Sequence, residues 1–244
     1  MIEKKAKEKK ETKSVPKEEE VAVFDKSTKA MFEKGLHFGH SHSKKHPKME
    51  PFIYGMRNNI DIIDLSEAQK CFKKTLDFLK EKKKEKALIF FVGTKVSARK
   101  LIKEKAEKLG IPYVIERWLG GTLTNFEVIK KRIDFLKDME EKRKKGEFEK
   151  YTKKERLRID QQIEKIDKRA GGLRKLNRLP DLLFVIDVKK EKIAIEEAKK
   201  KNINVVGICD TDGDPTMVDY FIPANDEGIA SLKYILGKIE KVLS

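Results

Sequence analysis

The chain of 244 residues is long enough to bury a core, yet its charged fraction of 40% slightly exceeds its hydrophobic fraction of 39%. A net charge of +16 points to a polyanionic partner, nucleic acid first. No apolar run approaches the roughly 18 residues of a membrane span, the start lacks the apolar core of a secretory signal, and the two cysteines, Cys71 and Cys209, lie far apart in no metal-type spacing, so a membrane partner is not expected and a reducing cytoplasm is.

The charge is unevenly spread. Residues 1–20 hold seven Lys and six Glu, whereas residues 29–180 sum to +18 and residues 181–244 to −3. The basic excess therefore belongs to the middle of the chain. Residues 1–25, Lys/Glu-rich and poor in apolar side chains, read as a disordered tail. A short helix is predicted from Ser27 or Thr28 to Gly35, with Ser27 as cap and Gly35 as left-handed stop. Residues 36–51 carry all four histidines, His37, His40, His42 and His46, with Lys44, Lys45, Pro47 and Pro51, and read as an irregular loop. The runs 52–54 and 60–63 flank Gly55 and Asn58-Asn59, a β-hairpin pattern. Asp64 or Ser66 then caps a helix to about Lys84, with Ala68, Phe72, Leu76 and Leu79 on one face.

From residue 87 strands and helices alternate. Five strands are predicted, over 87–92, 113–115, 182–186, 205–208 and 220–222. The first is apolar throughout, as a strand covered on both faces should be. A helix between the third and fourth strands carries Ile193, Ala194, Glu197 and Ala198. A closing helix over 226–243 presents Ile229, Leu232, Ile235, Ile239 and Val242. This is an α/β alternation giving a parallel sheet covered on both sides.

Residues 125–171 interrupt it, so the α/β domain comprises 26–124 and 172–244. Thr124-x-x-Glu127 and Thr152-x-x-Glu155 are two capping boxes. The stripes Phe126, Ile129, Ile133, Leu136 and Ile159, Ile163, Ile166, Ala170, Leu173 follow them at heptad spacing, with a break at Gly146 between. They read as an antiparallel coiled-coil hairpin. Gly120-Gly121 and Gly171-Gly172 mark its two feet. Trp118, the single tryptophan, reads as a packing anchor at the first foot, with base stacking as the minority alternative.

Several segments carry chemistry. Gly93-Thr94-Lys95 follows a strand and opens a helix, a geometry that binds anions through free N–H groups. It lacks the spacing of a nucleotide phosphate loop, so Lys95 and Arg99 are candidate RNA phosphate contacts instead. Asp210, Asp212 and Asp214 alternate after the fourth strand, and Asp187 ends the third. With His37 or His40, Asp187 and Asp210 are candidate ligands of a divalent metal ion, although no cofactor is required. The alternative is a hydrogen-bonded turn in which Asp210 caps backbone. Candidate RNA contacts are Lys44, Lys45, Arg57, Lys95, Arg99, Arg117, Lys130, Lys131, Arg132, Arg174, Lys175 and Arg178. A second function class is a metal-dependent phosphohydrolase using Asp187, Asp210 and Asp212, for which no nucleophile motif is present.

Taken together, Gly35-Leu-His37-Phe-Gly-His40, Phe91-Val-Gly-Thr-Lys95, Arg117-Trp-Leu-Gly-Gly-Thr-Leu-Thr-Asn-Phe126, Thr152-Lys-Lys-Glu155, Leu179-Pro-Asp181, Asp210-Thr, Asp214-Pro and Ile222-Pro-Ala-Asn-Asp226 resemble the bacterial small-subunit ribosomal protein S-two family. The resemblance spans about residues 28–240. It departs from the family pattern at Asp212 and Gly213. It implies a flavodoxin-like three-layer domain with a protruding helical hairpin and a non-enzymatic role in translation. It also implies binding to small-subunit ribosomal RNA beside neighbouring small-subunit proteins, and in many bacteria docking of ribosomal protein S-one.

Overall fold

The computed structural model describes residues 26–244, and the tail expected to be disordered lies outside the described residues. The apolar runs become interior strands. Strands β4 (Ile89–Val92) and β6 (Leu182–Val185) are buried at every residue. With β5 (Tyr113–Val114), β7 (Asn204–Cys209) and β8 (Tyr220–Pro223) they form one five-stranded sheet in the order β5-β4-β6-β7-β8. Every pairing in it is parallel.

The period of two in these strands sorts their side chains into two cores. Ile89, Phe91, Leu182, Phe184, Val206 and Ile208 pack with helices α2 (Leu65–Lys84), α3 (Val96–Leu109) and α7 (Ile229–Leu243). Phe90, Val92, Leu183, Val185 and Val205 pack on the opposite face. There α6 (Lys192–Lys200) supplies Ala194, Ile195 and Ala198. Trp118 and Leu123 join it, together with Ile129 and Ile133 of α4 (Phe126–Lys144), Ala170 of α5 (Lys153–Ala170) and Leu173, and Met49 and Val218 belong to the same core. The lower turns of the inserted helices thus belong to the second core.

Before the large sheet come helix α1 (Lys26–Glu33) and a small antiparallel sheet of β1 (Phe38–Ser41), β2 (Ile53–Arg57) and β3 (Ile60–Ile63), ordered β1-β3-β2. Asn58 and Asn59 both adopt positive φ, 50° and 62°, and Arg57 pairs Ile60. This is the two-residue hairpin turn that asparagine tolerates. Residues 36–51 are more ordered than a loop: Phe38–Ser41 adds an edge strand to β3, followed by two 3-10 turns, His42–Lys44 and Pro47–Phe52. Gly39 makes this possible, because a Cβ there would lie 2.4 Å from Thr211 Cγ2 and 2.9 Å from the Asp61 carbonyl oxygen. The His40 N–H donates to Thr211 Oγ1 at 2.9 Å and fastens the small sheet to the end of β7.

Asp64 caps α2, accepting from the Ser66 and Glu67 N–H groups. The closing helix begins at Ile229, three residues later than expected, because Asn225 Oδ1 accepts from the N–H groups of Glu227 and Gly228 and holds a turn there. Ile229 is consequently 61% exposed and off the core face.

Helices α4 and α5 form a hairpin through Gly146 (φ 73°) and a 3-10 turn, Glu147–Lys150. By length each spans about 28 Å. The capping box at Thr152 and Glu155 is formed in both directions. The other is not. Thr124 and Glu127 lie at the right spacing, but Thr124 sends both its N–H and its hydroxyl to Glu197, and the cap position falls to Asn125, whose side chain makes no capping hydrogen bond. Ile129, Ile133, Leu136 and Ile163 are buried, while Phe135 and Leu157 are 44% and 59% exposed. Arg143 pairs with Asp160 at 3.4 Å, and Arg174 reaches both Glu140 and Asp167, linking the two helices.

Candidate nucleic-acid interface and the switch-point carboxylates

The chain leaves β4 for β5 on one side and returns through the hairpin to β6 on the other. The carboxyl ends of β4 and β6 therefore flank the switch point, where open α/β sheets bind ligands. Here the crevice is filled by the protein itself. Lys95, just after β4, contacts Asp226 at 2.6 Å and Asp187 at 3.1 Å. Burial works against its ammonium, but the two carboxylates outweigh burial and hold its pKa above the ordinary lysine value. The anion-binding turn expected at Gly93-Thr94-Lys95 is real in geometry, but its anion is internal. The buried Glu191 carboxylate accepts from the Thr94 N–H at 2.9 Å and its hydroxyl at 2.7 Å.

Beside Lys95, His40 Nδ1 lies 3.1 Å from Asp210 Oδ2. The Asp210 carboxylate at this distance raises the imidazole pKa to about 9, against the opposing pull of burial. Burial first, then the charges of Asp210 and Asp187, push the Asp226 carboxyl up to about 8, with Lys95 opposing. One ligand atom each from His40, Asp210 and Asp226 lie within 4.8 Å of one another. Two of the four expected metal ligands, His40 and Asp210, thus come together, and Asp226 joins them. His37 does not: it is stacked at 4.4 Å on Phe32 and lies 4.1 Å from the Phe38 ring, where burial lowers its pKa. Asp187 is held by Lys95 and by the Lys190 N–H.

A second buried carboxylate organises the stretch around Trp118. Glu197 Oε1 accepts from Trp118 Nε1 at 3.1 Å and from the Gly121 N–H at 2.7 Å. Its Oε2 accepts from the Leu123 and Thr124 N–H groups and the Thr124 hydroxyl. Burial alone would raise this carboxyl, but the hydrogen bonds from Gly121, Leu123, Trp118 and Thr124 hold it below the usual glutamate value. Trp118 is a packing anchor, its ring 5.7 Å from that of Phe90 and 8% exposed. The signal for Glu197 was in the sequence: an acid beside Ala194 and Ala198 on the buried stripe of α6 has to find donors.

The twelve candidate RNA contacts divide by their partners. Lys45 is paired with Glu50, Lys95 with Asp226 and Asp187, Arg99 with Glu116, Arg174 with Glu140 and Asp167, and Arg178 with Asp181. The other seven, Lys44, Arg57, Arg117, Lys130, Lys131, Arg132 and Lys175, are exposed and have no carboxylate within 4 Å among the described residues. Ile129 and Ile133 turn inward, so Lys130, Lys131 and Arg132 between them sweep the outer face of α4, near the foot that carries Arg117. No helix among the described residues is long and apolar enough to cross a membrane.

These features define a basic, doubly wound α/β protein whose strand-end crevice is closed by its own ion pairs and whose unpaired cations face outward from an inserted hairpin. Residues 31–244 match the family model Ribosomal protein S2. A small ribosomal subunit protein uS2 of Roseiflexus sp. (strain RS-1) is 45% identical over 213 residues, 87% of this chain and 81% of the relative. That of Coprothermobacter proteolyticus is 46% identical over 211 residues (86% and 79%), and that of Sorangium cellulosum 43% over 216 residues (88% and 78%). The chain belongs to the Ribosomal protein S2 family, a family of ribosomal proteins and not of enzymes.

Proposed function

We propose that the chain is a structural constituent of the small ribosomal subunit that binds small-subunit ribosomal RNA through the base and outer face of its hairpin. The observation that carries this reading is the set of exposed, unpaired cations Arg117, Lys130, Lys131 and Arg132. Such cations displace condensed counterions from phosphates, and each contact steepens the salt dependence of binding. Protein partners are neighbouring small-subunit proteins and, where present, ribosomal protein S-one. The rings of Phe32 and Phe38, 56% and 48% exposed, offer apolar area for such contacts. The test is binding of small-subunit ribosomal RNA across a salt series. Replacing Lys130, Lys131 and Arg132 by Gln should lower the slope of log affinity against log salt by about 2–3, at roughly 0.7–0.9 per lost phosphate contact. An unchanged slope removes the hairpin from the interface.

His40, Asp210 and Asp226 support a second, narrower reading: a divalent metal ion held by one imidazole and two carboxylates, a donor set suited to zinc or manganese. The ion would compete with Lys95 for Asp226. Elemental analysis after dialysis against each metal, with Asp210→Asn as control, checks this; wild-type protein without stoichiometric metal ends it. The phosphohydrolase reading gains no comparable support. Asp187, Asp210 and Asp212 are engaged by Lys95, His40 and Lys189, and the crevice a substrate would enter is filled. Phosphatase activity abolished by Asp210→Asn would revive it.

A further inference from the structure

The helices of this fold run antiparallel to the strands they cover, so their carboxyl ends gather at the amino-terminal edge of the sheet. At that edge a cleft of about 670 Å³ opens between the end of α2 and the end of α6, lined among others by Lys82, Arg178, Lys201, Asn202 and Asn204. Within this edge the chain places Lys82, Lys83 and Lys84 in the last turn of α2 with Lys86 just beyond it, Lys199 and Lys200 in the last turn of α6 with Lys201 just beyond it, and Arg178 in the segment leading into β6. Only Glu81, Glu85 and Asp181 oppose them, leaving a net charge of +5. One or two cations per helix end complement the backbone dipole; this edge carries more.

Two backbone details sharpen the case. Both helices end in a left-handed residue, Lys86 at φ 54° and Asn202 at φ 55°. The Ala87 N–H closes back on Lys82 and the Ile203 N–H on Ala198. Glycine is the unstrained choice at such a position, and α3 uses it, Gly110 at φ 73°. At the cleft the sequence spends that position on a cation and an amide. The Asp181 carboxylate has a structural use, accepting from the Leu88 N–H at 2.7 Å. Arg178, 58% exposed, is held on that same carboxylate by two hydrogen bonds, at 2.9 and 2.7 Å. The opposite edge of the same sheet gathers Asp187, Asp210, Asp212, Asp214, Asp226 and Glu227, but Lys48, Lys95 and Lys189 pair with these carboxylates.

We propose that the amino-terminal edge of the sheet is a second docking surface for the RNA sugar-phosphate backbone, separate from the hairpin. This rests on the reading of the chain as a ribosomal-RNA binder. Lys84, Lys86, Lys200 and Lys201 have no ion pair among the described residues, so they can be changed with little cost to the fold, Lys86 to Asn and the others to Gln. Binding of small-subunit ribosomal RNA is measured across salt for four full-length proteins: wild type, this edge variant, the hairpin variant described above, and a control in which exposed Lys73, Lys74, Lys233 and Lys241 become Gln. The edge variant should lose about 2–4 from the salt slope and at least tenfold in affinity at low salt, while the control changes little. If the edge variant keeps the wild-type slope while the hairpin variant loses its share, the edge is not an RNA surface and the hairpin reading stands. If the control loses as much as the edge variant, net charge and not this surface is responsible, and the proposal fails. If the wild type shows no salt-dependent binding, the ribosomal-RNA reading fails and this inference with it.

Discussion

Replacing Glu197 should unfasten the hairpin's first foot from the sheet. Its carboxylate serves four residues of the 118–124 stretch and is 6% exposed. In Glu197→Ala, Thr124 lies exposed and Gly121 is partly so, and both recover water, but the indole N–H of Trp118 and the N–H of Leu123 stay buried without an acceptor. At about 1–3 kcal/mol for each orphaned group, the loss should be about 4 kcal/mol. Glu197→Gln keeps one oxygen. If that oxygen stays with Trp118 and Gly121, the new amide faces the N–H groups of Leu123 and Thr124, donor against donor, and one buried donor is orphaned. That predicts about 2 kcal/mol.

Urea unfolding followed by tryptophan fluorescence suits the question, because the single tryptophan is itself a donor to Glu197. The sign of the pH dependence follows from the depressed carboxyl pKa. A group whose folded pKa lies below its unfolded value stabilises above the unfolded value, about 4.3 for glutamate, and loses that contribution as pH falls through the folded pKa. The gap between wild type and Glu197→Gln should therefore be constant from pH 7 to about 5 and shrink below about 4. A glutamine variant within about 0.5 kcal/mol of wild type, or a gap that does not narrow in acid, would refute the reasoning.

The glycine feet differ in what they require. Gly172→Ala would set a Cβ 2.2 Å from the Tyr113 carbonyl oxygen and 2.8 Å from its ring, and should cost about 2–3 kcal/mol by urea unfolding, whereas Gly120→Ala meets nothing within 4 Å and should stay within about 0.5 kcal/mol. Thr152→Ala removes the capping box of α5 and should cost about 1 kcal/mol, read most directly as faster amide exchange at Glu155 and its neighbours. Lys95→Met removes the cation shared by Asp187 and Asp226 and should lower stability by about 1–3 kcal/mol in thermal or urea unfolding, the loss of its hydrogen bonds rather than of a buried charge, since the Asp226 carboxyl takes up a proton; a neutral result would mean that both carboxyls are satisfied without Lys95.

What the sequence disclosed follows from the range of the interactions. Strands such as β4 and β6 were legible because burial on both faces leaves a continuous apolar run, and the small hairpin because Asn58-Asn59 solves a local backbone problem. Strand β1 was not, because its four residues include Gly39, chosen for a contact with Thr211 that lies 172 positions away along the chain. The capping box at Thr124 and Glu127 has the right residues at the right spacing, and fails because Glu197, 73 positions on, takes the Thr124 donors first. The charges followed the same rule. Their number and sign were plain, but whether Lys95 or Arg174 is free or engaged depends on Asp226 and Glu140, which are distant in sequence. Asp226 escaped notice as a member of the carboxylate cluster for that reason.

The inserted hairpin shows why a stretch can be both an insertion and a necessity. Helix α6 alone lies on the second face of the sheet at β6 and β7, where Ala194, Ile195 and Ala198 pack. Strands β4 and β5 lie on the far side of the switch point, and their residues Phe90, Val92 and Val114 need cover as well. That cover comes from Trp118, Leu123, Ile129, Ile133, Ala170 and Leu173, the two feet of the hairpin and its lowest turns. Glu197 joins the two covers, since it sits on α6 and holds the loop that carries Trp118. The direction in which α4 leaves the sheet is thereby set by the same buried contacts that close the core. Cations placed on the outer face of α4 inherit a fixed position relative to the body, as the proposed contact with the phosphates of a folded RNA would require.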